Sequence, residues 1–135
     1  MIFLYYKMNY KNLNNAYELY DNSFNVNNKN LETCSTNPMT GFYRNGKCET
    51  GPNDTGTHTV CAKVDNDFLE FTKNMGNDLS TPTSYFPGLK DGDNWCLCAL
   101  RWKQAYDAGK APQVIENATN KMTLSLIPEF KNIMK

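Results

Sequence analysis

An imbalance of charge is the first thing this sequence lacks. Its 135 residues carry 14 Lys plus Arg and 14 Asp plus Glu, so the formal net charge is zero. Nucleic-acid recognition rests on a basic surface that neutralises phosphates, and this composition offers none, so no nucleic-acid partner is expected. No block of like charge occurs that would act as a purely electrostatic tail. Long apolar runs are missing too. The early run Ile2–Tyr6 spans five residues, short of the ~7–15 of a secretory h-region and of the ~20 of a membrane-spanning helix. A cytoplasmic protein without membrane contact is the expectation. Histidine occurs once, at His58, and arginine twice, at Arg44 and Arg101. Imidazole chemistry near neutral pH therefore has one residue to run through.

Cysteine is present in an odd number: Cys34, Cys48, Cys61, Cys96 and Cys98. A complete disulfide framework within one chain is impossible. With no secretory signal, the simplest expectation is free thiols in a reducing compartment. Length, hydrophobic content of 40% and charged content of 21% fit one globular domain with its own core.

Residues 1–24 are rich in Asn and Tyr and contain no Gly or Pro. Leu13, Ala16, Tyr17, Tyr20 and Phe24 fall at helical spacing, but asparagine is a poor helix former. We expect an extension there, weakly helical or disordered, ahead of a single domain over 25–135. Asn45-Gly46 predicts a type I′ hairpin that pairs Tyr43 with Cys48. Thr57–Val64 is β-branched and predicts a strand, with His58, Val60, Ala62 and Val64 on one face. Residues 65–76 predict a helix: Asp65 or Asn66 caps it, Phe68, Leu69, Thr72 and Met75 form its inner stripe, and Gly76 stops it. Residues 77–93 show no period and form a long loop, a length often functional. Residues 94–98 predict a strand, 99–108 a helix ended by Gly109, 112–119 a strand and 128–135 a short helix. The expected fold is α+β: a two-layer sandwich, with a small mixed or antiparallel sheet covered by helices on one face.

From "CSTNPMTGFYRNGKCETGPNDTGTHTVC" onward the chain resembles the domain of unknown function 2237 family of bacteria, algae and plants. The resemblance runs from about Asn25 to Lys131. It includes "GNDLSTP", "FPGLKDGDNWCLCALRW" and "AGKAPQVIENAT". It implies a small two-layer α+β domain and no assigned activity. Family members often carry a cysteine where this chain has Lys47 and a histidine where it has Asn120. The loop after "STP" is also about two residues shorter here.

Three chemistries compete for the remaining residues. Cys61, Cys96, Cys98 and His58 are zinc-ligand types. However, Cys96 and Cys98 on a regular strand hold their sulfurs roughly 6–7 Å apart, and His58 and Cys61 point to opposite faces. No metal and no cofactor is expected. Thiol catalysis would use Cys98 or Cys96 as nucleophile. Cys98 directly precedes a helix whose N-terminus favours a thiolate. His58 would be the base and Asp78 the group that orients it. Against this, free cysteines commonly act as small buried hydrophobes. The leading expectation is a small-molecule binding site near His58. Asn77, Asp78, Ser80 and Thr81 would supply polar groups, Tyr85, Phe86, Trp95 and Trp102 the wall, and Arg101 a fork for an anionic group. The competing role for Asn77 and Asp78 is to close the helix, and for Trp102 to fill the core. A protein-interaction module using Leu13, Tyr17, Tyr20 and Phe24 is the third class. Nothing in the sequence points to a homo-oligomer.

Overall fold

The computed structural model describes residues 20–134. In chain order its elements are strand β1 (Val60–Lys63), helix α1 (Asn66–Asn74), strand β2 (Asn94–Leu97), helix α2 (Ala99–Asp107), strand β3 (Gln113–Val114), a 3-10 turn at Glu116–Ala118, and two short helices, α3 (Thr123–Leu126) and α4 (Phe130–Ile133). The strands form one antiparallel sheet in the order β2-β1-β3. This is a small α+β domain.

Strand alternation divides the interior in two. Val60 and Ala62 of β1 and Trp95 and Leu97 of β2 face the helices, where they meet Phe68 and Leu69 of α1, Trp102 and Ala105 of α2 and Phe130 of α4. Burial of these side chains is the main apolar contribution, about 1.5–3 kcal/mol for each large one. Cys61 and Cys96 face the other way. There they pack with Cys34, Cys48 and Ala118 under the long segment that precedes β1. One side of the sheet is thus closed by helices and the other by loop.

Helix α1 forms where its local signals place it. The Asp65 side chain accepts the Phe68 N–H at 2.8 Å, Asp67 and Lys73 complement the helix dipole at its two ends, and Gly76 takes φ +95° to end it. Phe68, Leu69 and Thr72 are buried as expected, but Met75 is 46% exposed. Helix α2 ends at Gly109, at φ +74°.

Four expectations are corrected. The Asn45-Gly46 hairpin does not form. Gly46 O accepts the N–H groups of Cys34 and Ser35, and Gly46 N–H donates to Thr40 O, so the segment binds back to residues 34–40 instead of pairing 43 with 48. Arg44 takes φ +53° to make that curl. The strand expected from Thr57 starts only at Val60, because Thr57 turns at φ +44°. His58 therefore leaves the apolar face it was expected to share. The strand expected over 112–119 shrinks to Gln113–Val114 and gives way to a 3-10 turn. The thiols are not free: Cys34 bonds Cys61 and Cys48 bonds Cys96, leaving Cys98 alone unpaired. The sheet sets up this pairing by placing Cys61 directly opposite Cys96.

Residues 22–26 are stitched to the domain. Asn22 exchanges hydrogen bonds with the Thr50 backbone, and Val26 N–H donates to Thr119 O. Leu13 and Tyr17, proposed for an interaction face, lie outside the described residues. Among the described residues no helix is long and apolar enough to cross a membrane.

Candidate functional site

Turn residues 50–58 build a polar constellation around one buried carboxylate. Asp54 N–H donates to Gly51 O and Thr57 N–H to Asp54 O, folding the loop tightly on itself. The Asp54 carboxylate is buried at its centre. Oδ2 accepts from the Thr50 hydroxyl at 3.0 Å and from the His58 backbone N–H at 2.9 Å. Oδ1 lies 2.6 Å from His58 Nδ1. A carboxylate that is already an acceptor twice over takes a proton donor as its third partner, so Nδ1 carries the hydrogen and Nε2 is left to meet other groups. Gly56 makes room for the ring: a Cβ there would sit 2.5 Å from His58 Cε1.

His58 is half-exposed and lines a cleft of about 570 Å³, within the size range of small-molecule sites. Phe42 stacks on the imidazole with ring centroids 6.4 Å apart. Leu79, Tyr85, Phe86 and Trp95 add apolar wall, and Phe86 packs against Trp95 at 5.2 Å. Arg44 lies over the Trp95 ring, with its guanidinium carbon 5.1 Å from the centroid, in reach of a cation–π attraction. It is held there by a hydrogen bond to Gly41 O. Asp78 also lines the cleft. The Thr81 hydroxyl and the Ser80 and Thr81 N–H groups bind its carboxylate and hold its pKa below the ordinary value of 3.8. A second hollow of about 610 Å³ shares Arg44, Tyr85, Phe86 and Trp95, and continues toward Lys90 and Asp93.

The residues singled out from sequence disperse. His58 and Asp78 line one cleft, together with Cys96. Cys96, however, is bonded to Cys48 and is no thiol nucleophile in this state. Cys98 occupies the cap position of α2, half-buried, and makes no side-chain cap bond. It is not among the residues that line the His58 cleft. Asn77 closes α1 through Thr72, with both its backbone and its side chain. Ser80 and Thr81 serve Asp78 through their N–H groups. Arg101 donates to Met75 O and Gln104 Oε1, tying α2 to the end of α1. Trp102 is buried against Tyr106 and Phe130, and its indole N–H reaches Pro112 O.

Asp54, Phe42 and Arg44 were not anticipated from the sequence. The one available signal for Asp54 was an acid four residues before the only histidine, in a run of turn-formers.

Residues 24–133 match a family described as an uncharacterized protein conserved in bacteria, DUF2237. The chain belongs to this family. The DUF2237 match begins at Phe24 and so takes in the Cys34–Cys48 segment, the Asp54–His58 turn and both halves of the cleft. A comparison with curated proteins found no match.

Proposed function

We propose that this DUF2237 domain binds a small molecule in the His58 cleft. The ligand would carry an acidic or hydrogen-bonding group beside a flat apolar portion. The observation that carries this reading is the Asp54–His58 pair set at the edge of an aromatic cleft. A buried carboxylate that fixes one ring nitrogen leaves the other oriented to meet a partner. Phe42, Phe86 and Trp95 suit a flat apolar body. The open Nε2 of His58 and the Arg44 guanidinium suit an acidic or hydrogen-bonding group. Asp78, held as a carboxylate in the same cleft, disfavours a ligand that is anionic at both ends.

Binding without catalysis is the stronger form of the proposal. The cleft holds no free thiol among its lining side chains, since Cys96 is bonded and Cys98 lies elsewhere.

The test is calorimetric titration with small aromatic carboxylates, benzoate and its hydroxylated relatives, against the oxidised protein and against His58→Ala. Saturable binding that weakens about tenfold or more in the variant is expected, the usual loss for a charge-assisted hydrogen bond. Equal affinity in both proteins, or no saturable binding by any of them, contradicts the proposal.

A further inference from the structure

The cysteines on the loop-covered side of the sheet do not form two independent staples. Cys61 and Cys96 face one another on β1 and β2. Their backbone polar groups are engaged elsewhere: Cys61 N–H with Thr119 Oγ1, Cys61 O with the Ile115 N–H, and Cys96 N–H with Thr40 Oγ1. They are therefore a non-hydrogen-bonded antiparallel pair, the kind whose side chains stand closest. Yet they do not bond to each other. Each reaches instead to a cysteine of the preceding loop. The sulfurs of Cys34, Cys48 and Cys61 all lie within 4.8 Å of one another, and Cys96 is bonded to the second of them. Three sulfurs thus converge on one spot and the fourth, Cys96, is one bond away through Cys48; all four cysteines are buried.

We propose that, when reduced, this cluster is a four-cysteine site for a soft divalent cation of the zinc class. Tetrahedral zinc with bonds of ~2.3 Å sets its sulfurs roughly 3.8 Å apart. No two of these three sulfurs are more than 4.8 Å apart, and the Cys34–Cys61 pair, 2.04 Å apart while bonded, has to open toward that spacing once reduced. Thiolate sets select zinc and its softer relatives over magnesium and calcium. The sheet holds two of the ligands and the 34–48 loop supplies the other two, so the cation replaces the covalent ties with coordinate ones at the same place. The set differs from the one the sequence brought to attention: Cys98 and His58 take no part.

The chemistry balances with a dithiol as reductant. Each disulfide takes up two electrons and two protons and becomes two thiols, while one dithiol closes to its own disulfide. Two dithiols therefore reduce the cluster. The four thiols then bind the cation as thiolates and release up to four protons to the solvent, and the cation changes neither electron count nor oxidation state.

The probe is Co²⁺, whose visible absorption reports tetrahedral thiolate coordination. The protein is reduced with a dithiol, freed of it under anaerobic conditions, and titrated, with folding followed by circular dichroism. The site predicts saturation at one equivalent, displacement of cobalt by Zn²⁺ and no cobalt spectrum for the oxidised protein. Cys98→Ser keeps the spectrum, and Cys61→Ser binds roughly a hundredfold or more weaker. A reduced chain that has lost structure should regain it with the metal. The proposal is overturned if the reduced protein gives no thiolate spectrum, if it stays unfolded with excess Zn²⁺, or if Cys98→Ser rather than Cys61→Ser loses the metal.

Discussion

Asp54 is the residue on which the account turns. Its two oxygens meet three donors, the Thr50 hydroxyl and the backbone and ring nitrogens of His58. Asp54→Asn keeps the size but replaces one acceptor oxygen with a donor that faces other donors. Such a mismatch in a buried network costs about 2–3 kcal/mol, and a lowered urea midpoint at unchanged slope is the expected reading. Asp78 makes a pH prediction. Its pKa is lowered in the fold by Thr81 and Ser80. The interaction therefore stabilises the fold fully above the ordinary carboxylate pKa and is lost as pH falls through the lower, folded value. Carboxyl-detected NMR titration should place the Asp78 midpoint below 3.8, and Thr81→Ala should bring it back up. Sequence alone named His58 and Asp78, which line one cleft, but could not reach Asp54. Four residues of turn fix a spacing, whereas the direction of the side chain depends on the φ +44° of Thr57.

At the scale of elements, legibility follows how local the signals are. Helix α1 was readable because cap, stripe and stop all lie within its own dozen residues. Asp65→Ala should remove the cap at a cost of about 1 kcal/mol, checked by thermal unfolding, with the cleft residues unshifted in NMR spectra. The 43–48 hairpin was misread for the opposite reason. Asn45-Gly46 favours a tight turn, but its flanks are claimed by distant partners: Cys48 by Cys96, and Gly46 by Cys34 and Ser35. Tertiary bonds decided the local shape. In the same way Val60 and Ala62 face the helix-side core as their alternation implied, while His58, two residues earlier, leaves that alternation because the strand has not yet begun.

For the whole molecule, cysteine parity showed only that one thiol must remain unpaired. It could not say which four would meet, because pairing is set by the sheet and by the path of the 34–48 loop. Sequence separations of 27 and 48 residues make each bond worth about 3–4 kcal/mol in a chain-entropy account. The two closed loops overlap, so their sum is smaller than twice that. Reduction without metal should therefore lower the melting temperature sharply, whereas alkylating Cys98 alone should leave it nearly unchanged. The Cys48–Cys96 bond ties the loop carrying Phe42 and Arg44 to the strand carrying Trp95, so both walls of the cleft depend on it.

The single histidine gives the most direct test of the cleft. A long-range ¹H–¹⁵N spectrum of its imidazole, taken at alkaline pH and then with benzoate at neutral pH, resolves both ring nitrogens without assignment ambiguity. The account predicts a hydrogen on Nδ1 in the neutral ring and a benzoate-dependent shift at Nε2 while Nδ1 holds its position. A hydrogen on Nε2 in the neutral ring, or an Nε2 that ignores every carboxylate offered, would contradict the claim that Asp54 aims His58 at a ligand.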